Sequence, residues 1–148
     1  MTALTVARSG DLERLLPMVA ACHAETGRDS DEALRRDGLA PLLEGSPHGV
    51  VYLIGPPRAP IGYALLSFGW SVARGGLTAH LVEVHIRRAV RGRGIGSEVL
   101  VSLPRALAGA GLRASDVEID AADTRARAFF ARLRFRLRED RVTMTLVP

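Results

Sequence analysis

The spacing of hydrophobic residues changes along the chain, and its order predicts the first elements. Leu4–Arg8 alternates like a strand, and leucines then recur at helical spacing over Leu12–Val19. Pro17 lies inside this helical pattern and predicts a kink or an early end, because proline lacks a backbone donor. The polar segment 26–49 predicts a short, imperfect helix capped at Ser30.

The rest of the chain reads as strands that alternate with helices. Val50–Ile54 and Ile61–Trp70 predict an antiparallel hairpin, joined by a turn over Gly55–Pro60. The further predicted elements are a strand over Leu77–Ile86, a helix over Gly94–Ala108, a strand over Asp116–Ala121, a helix over Thr124–Leu133 and one or two strands over Phe135–Val147. No repeat or linker divides the chain, so we expect one α/β domain over residues 1–148, with a mixed sheet between helices.

Composition excludes several classes of protein. The apolar runs fall far short of the roughly 20 residues that a bilayer crossing needs, so we expect no membrane partner. The lone Cys22 has no disulfide partner and the N-terminus lacks a secretory pattern, which favours a cytoplasmic location. All 20 cationic residues are arginine, so a single arginine is weak evidence for anion binding. No metal site is predicted.

The sharpest local feature is the glycine loop, which we define as Arg91–Gly96 and which follows an apolar strand and precedes a helix. Glycines let several backbone N–H groups converge on one anion beside a helix N-terminus, an arrangement suited to a pyrophosphate. A tight strand-to-helix turn is the simpler alternative. A Walker loop is excluded because the chain has no lysine, and a Rossmann fingerprint would need glycine where Ser97 stands.

The segment Val82–Gly96 resembles the acyl-CoA-binding signature of the GCN5-related N-acetyltransferases (GNAT). It has an acidic strand residue followed by arginine, two residues, glycine, one residue and glycine. A second similarity to the family covers Val117–Asp120, Asp123 and Phe129–Phe135. The resemblance implies the GNAT fold, a mixed sheet of six to seven strands flanked by about four helices, with a splayed strand pair that holds the cofactor.

The resemblance also implies positions that bind acetyl-CoA, the acyl donor. Backbone groups of Val84, His85 and Ile86 would bond the pantetheine arm as an added strand would. The pyrophosphate would be held by the loop and the residue after it, namely Arg91, Gly92, Arg93, Gly94, Ile95, Gly96 and Ser97. Two weaker positions are Asp123, where the family usually has asparagine, and Phe130, where it usually has tyrosine.

Glu83 is the predicted general base, because a protonated amine must lose a proton before it attacks a thioester. It would act directly or through water, and a structural ion pair is the competing interpretation. In a regular strand His85 would share its face, whereas a bulge would separate the two. Phe130 lacks the family's leaving-group hydroxyl; Tyr63 and Tyr52 are candidate replacements, with plain strand packing as the alternative.

The amine substrate stays open between a small molecule and a peptide. The resemblance implies a substrate pocket near Cys22–His48 and Arg136–Thr143. The acids in the first of these segments, Glu25, Asp29, Asp31 and Glu32, could attract a polyamine, or could simply be solvated. The alternatives from other classes are a non-catalytic acyl-CoA-binding regulatory module and nucleic-acid binding by the arginine-rich Arg125–Arg141. We expect an enzyme that transfers acetyl to a primary amine in a ternary complex, without nucleic acid, and with a homodimer possible by family analogy.

Overall fold

A computed structural model describes residues 2–148 and contains five strands and four α-helices in that range. In chain order these are β1 (Leu4–Val6), α1 (Leu12–Thr26), α2 (Glu32–Leu43), β2 (Gly49–Ile54), β3 (Gly62–Ser71), β4 (Gly76–Ile86), α3 (Ile95–Leu107), β5 (Leu112–Val117) and α4 (Thr124–Arg132). The chain divides into two compact units, one ending at Glu118 and the other spanning Ile119–Pro148. The single domain expected from the sequence stays a prediction.

The first unit is built on one sheet with the strand order β1-β2-β3-β4-β5. The first four strands are antiparallel neighbours, and β5 runs parallel to β4. The predicted hairpin is present as β2 and β3, which pair from Gly49 opposite Ser67 to Ile54 opposite Gly62. The predicted mixed α/β sheet is therefore confirmed, although it has five strands in residues 2–148 and not six to seven.

The helices of this unit cover both faces of the sheet. One face forms a core with α1 and α2, in which Leu15, Val19, Leu39, Leu53 and Tyr63 are at most 3% exposed. The buried leucines and valine of α3 lie outside this core, and α3 contacts β4 and β5. Helix α3 thus packs on the opposite face. None of the helices in residues 2–148 is long and apolar enough to cross a bilayer.

The predicted early end of the first helix at Pro17 and the predicted cap at Ser30 are both wrong. Helix α1 continues through Pro17 to Thr26, because buried residues on both sides of the proline pack it against the sheet and outweigh the roughly 3 kcal/mol that an interior proline costs. Asp31, rather than Ser30, caps α2, and its side chain accepts the N–H of Leu34 at 2.9 Å. This leaves the Ser30 hydroxyl available for a different contact.

The second unit contains α4 and a C-terminal segment without strands. The strands predicted over Phe135–Val147 are absent, so that prediction is wrong. Val142, Met144 and Leu146 alternate with polar residues as in a strand, yet each is at least 87% exposed. Alternation of apolar and polar residues predicts which face of a strand would be buried. A strand forms, however, only where a neighbouring backbone is available to pair with it.

Candidate functional site

A β-bulge at Val82 decides which way the functional residues of β4 point. Leu66 lies opposite Leu81 and Leu65 opposite Glu83, so Val82 is the extra residue on β4. Without it, Leu81 and Glu83 would share a face. With it, Glu83 points to the face covered by α1 and α2. His85 points the same way, because the bulge precedes Glu83 and does not separate the two.

Both carboxylate oxygens of Glu83 are held by residues from other elements. The Tyr63 hydroxyl, on β3, donates to Oε1 at 2.6 Å, and His23 Nε2, on α1, lies 3.0 Å from Oε2. The side chain of Glu83 is only 9% exposed, and Tyr63 is fully buried. Desolvation of a carboxylate is tolerable only when hydrogen bonds replace water, and these two contacts supply them.

The hydrogen-bonded chain continues from His23 toward α2. His23 Nδ1 lies 2.6 Å from the Ser30 hydroxyl oxygen, and Arg35 Nη1 donates to that oxygen at 3.3 Å and also to the Ser30 carbonyl oxygen. Because an ionised carboxylate can only accept, Nε2 of His23 donates to Glu83, and in the neutral form of the ring Nδ1 then accepts from the Ser30 hydroxyl. Each donor from Arg35 to His23 therefore points toward Glu83.

Glu83, His23, Ser30 and Arg35 all line one cavity of about 200 Å³. Its remaining walls are apolar or lack a side chain and come from α1, α2 and β3: Val19, Leu34, Gly38, Leu39, Leu42 and Leu65. This mixture of apolar walls and a few convergent polar groups is typical of a small-molecule site. The cavity lies in the first unit and borders the helices from which the sequence predicted a substrate pocket.

The surroundings of Glu83 change the acidity of its neighbours. Burial raises the pKa of Tyr63 well above its ordinary value, and the Glu83 carboxylate adds to this effect, so Tyr63 stays a donor. Burial also raises the pKa of the Cys22 thiol, which disfavours its thiolate form. Burial lowers the pKa of His85, so this buried ring favours its neutral form. No group of three or more metal-ligating side chains occurs in residues 2–148.

Beyond the bulge, β4 has an open edge on the side of β5. The parallel pairing of β4 with β5 ends at Leu81 opposite Val117, whereas β4 continues to Ile86. The predicted pantetheine segment, Val84, His85 and Ile86, lies in this unpaired stretch. Part of its backbone is already used, because Arg91 Nε donates to the Ile86 carbonyl at 2.7 Å.

The glycine loop connects this edge to α3. Gly92 and Gly94 have φ angles of 79° and 76°, a left-handed conformation that glycine adopts readily. A Cβ at either position would meet no atom within 4 Å, so backbone conformation rather than crowding requires glycine there. Gly94 is the N-cap of α3 and no side chain caps the helix, which leaves its first N–H groups open for an anion. Open space and free donors fit a pyrophosphate.

The arginines near the loop differ in what they contact. Arg91 donates to Glu25 at 2.8 Å, and Arg88 lies 3.6 Å from the same carboxylate. The bond to Arg91 holds the pKa of Glu25 below its usual value. Arg87 donates to the Pro60 carbonyl at 2.9 Å. Arg93 is exposed and has no ion pair within the described part of the chain, so it is the loop's available cation.

Asp123 and Phe130 lie in the second unit and have structural contacts of their own. Asp123 caps α4 by accepting the N–H of Ala126 at 2.9 Å. The helix ends in a Schellman motif, in which Phe135 N bonds Phe130 O and Arg134 N bonds Ala131 O, each at 3.0 Å. The rings of Phe130 and Phe135 pack edge to face across this motif. Their proposed cofactor contacts stay predictions.

Comparison with known proteins identifies the class. Residues 12–135 match the model of the acetyltransferase (GNAT) family, so the chain belongs to this family. None of the curated proteins matches the sequence. The family membership and the GNAT fold inferred from the sequence are thus confirmed.

Solved structures with the same fold include a possible acetyltransferase from Clostridium difficile 630, with a TM-score of 0.89, 16% identity and coverage of 100% of this chain and 99% of that one. A proposed acetyltransferase from Arthrobacter sp. FB24 is 28% identical, with a TM-score of 0.78 over 99% and 92% of the two chains. An aminoglycoside acetyltransferase from an uncultured soil metagenomic sample has a TM-score of 0.76 at 14% identity over 99% and 96%. At these low identities, the first and third share the fold alone.

The structure also adds site residues that sequence reasoning missed. His23 and Arg35 were not predicted, and Ser30 was assigned only a capping role. Sixty positions separate His23 from Glu83 in the chain, and neither His23 nor Arg35 belongs to a motif. Only the packing of α1 and α2 on the bulged strand brings them together.

Proposed function

We propose that this chain is an acetyl-CoA-dependent N-acetyltransferase, with Glu83 as the general base for a primary amine bound in the cavity. The observation that carries the proposal is the position of Glu83, which lines the cavity and lies on the strand that leads through Val84–Ile86 to the glycine loop. Family membership supports acetyl transfer. The choice of base, donor site and substrate rests on the geometry.

In the proposed reaction, Glu83 accepts a proton from the bound ammonium group, directly or through water. The amine nitrogen then attacks the thioester carbonyl carbon, the C–S bond breaks, and its electron pair leaves on the CoA sulfur. The attacking nitrogen loses its second proton to the departing thiolate or to solvent, and Glu83 returns the first proton to solvent. Tyr63 and His23 keep the carboxylate pointed at the cavity and are positioning residues. The glycine loop and Arg93 would hold the phosphates of the donor, and Val84–Ile86 would align the pantetheine arm.

The test is Glu83→Gln, which preserves shape and the bond from Tyr63 but removes the base. We expect kcat in a thiol-release assay to fall by about 10²- to 10⁴-fold, the usual contribution of a general base. CoA affinity, measured by calorimetry, should stay within about twofold. Glu13→Gln makes the same change at a largely exposed glutamate paired with Arg36 and should leave kcat unchanged.

Two results would contradict the proposal. Unchanged kcat in Glu83→Gln would assign this residue a purely structural role. Tight CoA binding by the unmodified chain, without acetyl transfer to polyamines, aminoglycosides, amino acids or peptides, would favour the non-catalytic acyl-CoA-binding module.

A further inference from the structure

The acids that suggested a polyamine substrate are largely occupied. Glu25 pairs with Arg91, Glu32 pairs with Arg36 at 3.2 Å, and Asp31 caps α2. None of them lines the cavity. The charged groups that do line it are the Glu83 carboxylate and the Arg35 guanidinium, so the cavity presents one negative and one positive group rather than a set of acids.

Arg35 has an unused hydrogen-bonding edge. Its Nη1 bonds the Ser30 carbonyl and hydroxyl oxygens, whereas Nε is buried without a partner. Within residues 2–148, Ser30 is the one hydrogen-bonding partner of the Arg35 guanidinium, which has no ion pair, and Nη2 has no hydrogen bond. A buried N–H without a partner is unfavourable, so a ligand that bonds it is favoured, and because Nε is buried the Arg35 side chain must turn this edge into the cavity to form the bond.

The free edge has a defined chemical preference. Nε–H and Nη2–H of a guanidinium are parallel donors, and a carboxylate accepts from both at once. The neighbouring walls are apolar, and Leu34, which lines the cavity, is 60% exposed and would be covered by an apolar ligand. A cationic polyamine would be repelled by Arg35 and would lack polar partners on the leucine walls.

We propose that Arg35 selects an amine that carries a carboxylate and an apolar body, an apolar amino acid, with the carboxylate on Nε and Nη2 and the amine toward Glu83. This inference rests on the proposed function of the same cavity. The two opposite charges that line the cavity orient the substrate, because its ammonium group is attracted to Glu83 and its carboxylate to Arg35. Arg35 is thus a specificity-determining residue.

The experiment compares leucine, methionine and phenylalanine with their amides and with the matched amines that lack the carboxylate. In the unmodified protein, kcat/KM for each acid should exceed that for its amide by about 10- to 100-fold, the range expected for a charge-assisted hydrogen-bonded pair. Arg35→Gln should abolish this preference while it retains activity toward the amides, which also shows that the variant is folded. Arg36→Gln, at the next residue of α2, should keep the preference.

Equal kcat/KM for acids and amides, or a preference that persists in Arg35→Gln, would overturn the inference and leave acetyl transfer intact. If none of these compounds is acetylated, calorimetry of leucine and leucinamide still decides the matter. Leucine binding that is lost in Arg35→Gln would support Arg35 as a carboxylate site while the proposed enzyme fails. Equal binding of the two compounds, or none, would overturn it.

Discussion

Removal of the Tyr63 hydroxyl is the most direct test of how Glu83 is held. This hydroxyl donates to Glu83 Oε1 at 2.6 Å, and Tyr63 has no exposed surface. Tyr63→Phe keeps the ring in the core and deletes one oxygen. A hydrogen bond to a charged group contributes about 1.5–3 kcal/mol, so we expect the free energy of unfolding to fall by about 2 kcal/mol.

The assay is urea unfolding, with a matched tyrosine as the control. Tyr52 lies on the neighbouring strand β2 and is also buried, but its hydroxyl has no hydrogen-bond partner within residues 2–148. Tyr52→Phe should therefore change stability by less than about 0.5 kcal/mol. Its burial alone raises the pKa of the Tyr52 hydroxyl, so both tyrosines begin as neutral phenols.

Repeating Tyr63→Phe in the Glu83→Gln background separates charge from shape. The amide still accepts the hydroxyl, but a neutral hydrogen bond is about half as strong as a charge-assisted one. The cost of removing the hydroxyl should then fall to about 1 kcal/mol. If Tyr63→Phe costs no more than Tyr52→Phe, or costs the same in both backgrounds, the hydroxyl does not hold an ionised Glu83.

Three further predictions concern other parts of the chain. Gly94→Asp should weaken CoA binding in calorimetry by about tenfold or more, because a carboxylate would face the pyrophosphate. Gly94→Asn tolerates positive φ equally well but is neutral, so it should bind CoA far better than Gly94→Asp. Equal CoA affinities of the two variants would refute the loop's role. Arg134 has a φ of 70°, which is unfavourable for a residue other than glycine, so Arg134→Gly should add about 1 kcal/mol to the free energy of unfolding in urea. Arg132→Gly, inside α4, should instead lower it by about as much. Burial keeps the pKa of His85 below 6.5, so the unfolded chain binds more protons and the free energy of unfolding falls as the pH drops below about 6.5. His85→Gln should reduce the difference between the free energies of unfolding measured at pH 7.5 and 5.5. His48→Gln, at an exposed histidine, should leave that difference unchanged.

The sequence by itself determined the class of fold and the position of the glycine loop. Local patterns suffice for both. Hydrophobic periodicity identified β4 and α3, and the glycines at 92 and 94, visible in the sequence, adopt the positive φ that glycine allows. The second similarity to the family also has a local explanation, because Phe130 and Phe135 close the Schellman motif of α4. The glutamate on β4 was predicted as well, from its place in the resemblance.

The tertiary structure decided what surrounds that glutamate. Alternation along β4 places Leu81 and Glu83 on one face, and only the pairing with β3 reveals that Val82 is an extra residue that turns Glu83 toward α1. The partners of Glu83 come from α1 and β3. Arg35 is linked to them by its hydrogen bond to Ser30, which precedes α2. Contacts between residues far apart in the chain depend on how whole helices pack on the sheet, which no local pattern records. For the same reason the C-terminal alternation predicted a strand, although a strand forms only where another backbone is available to pair with it.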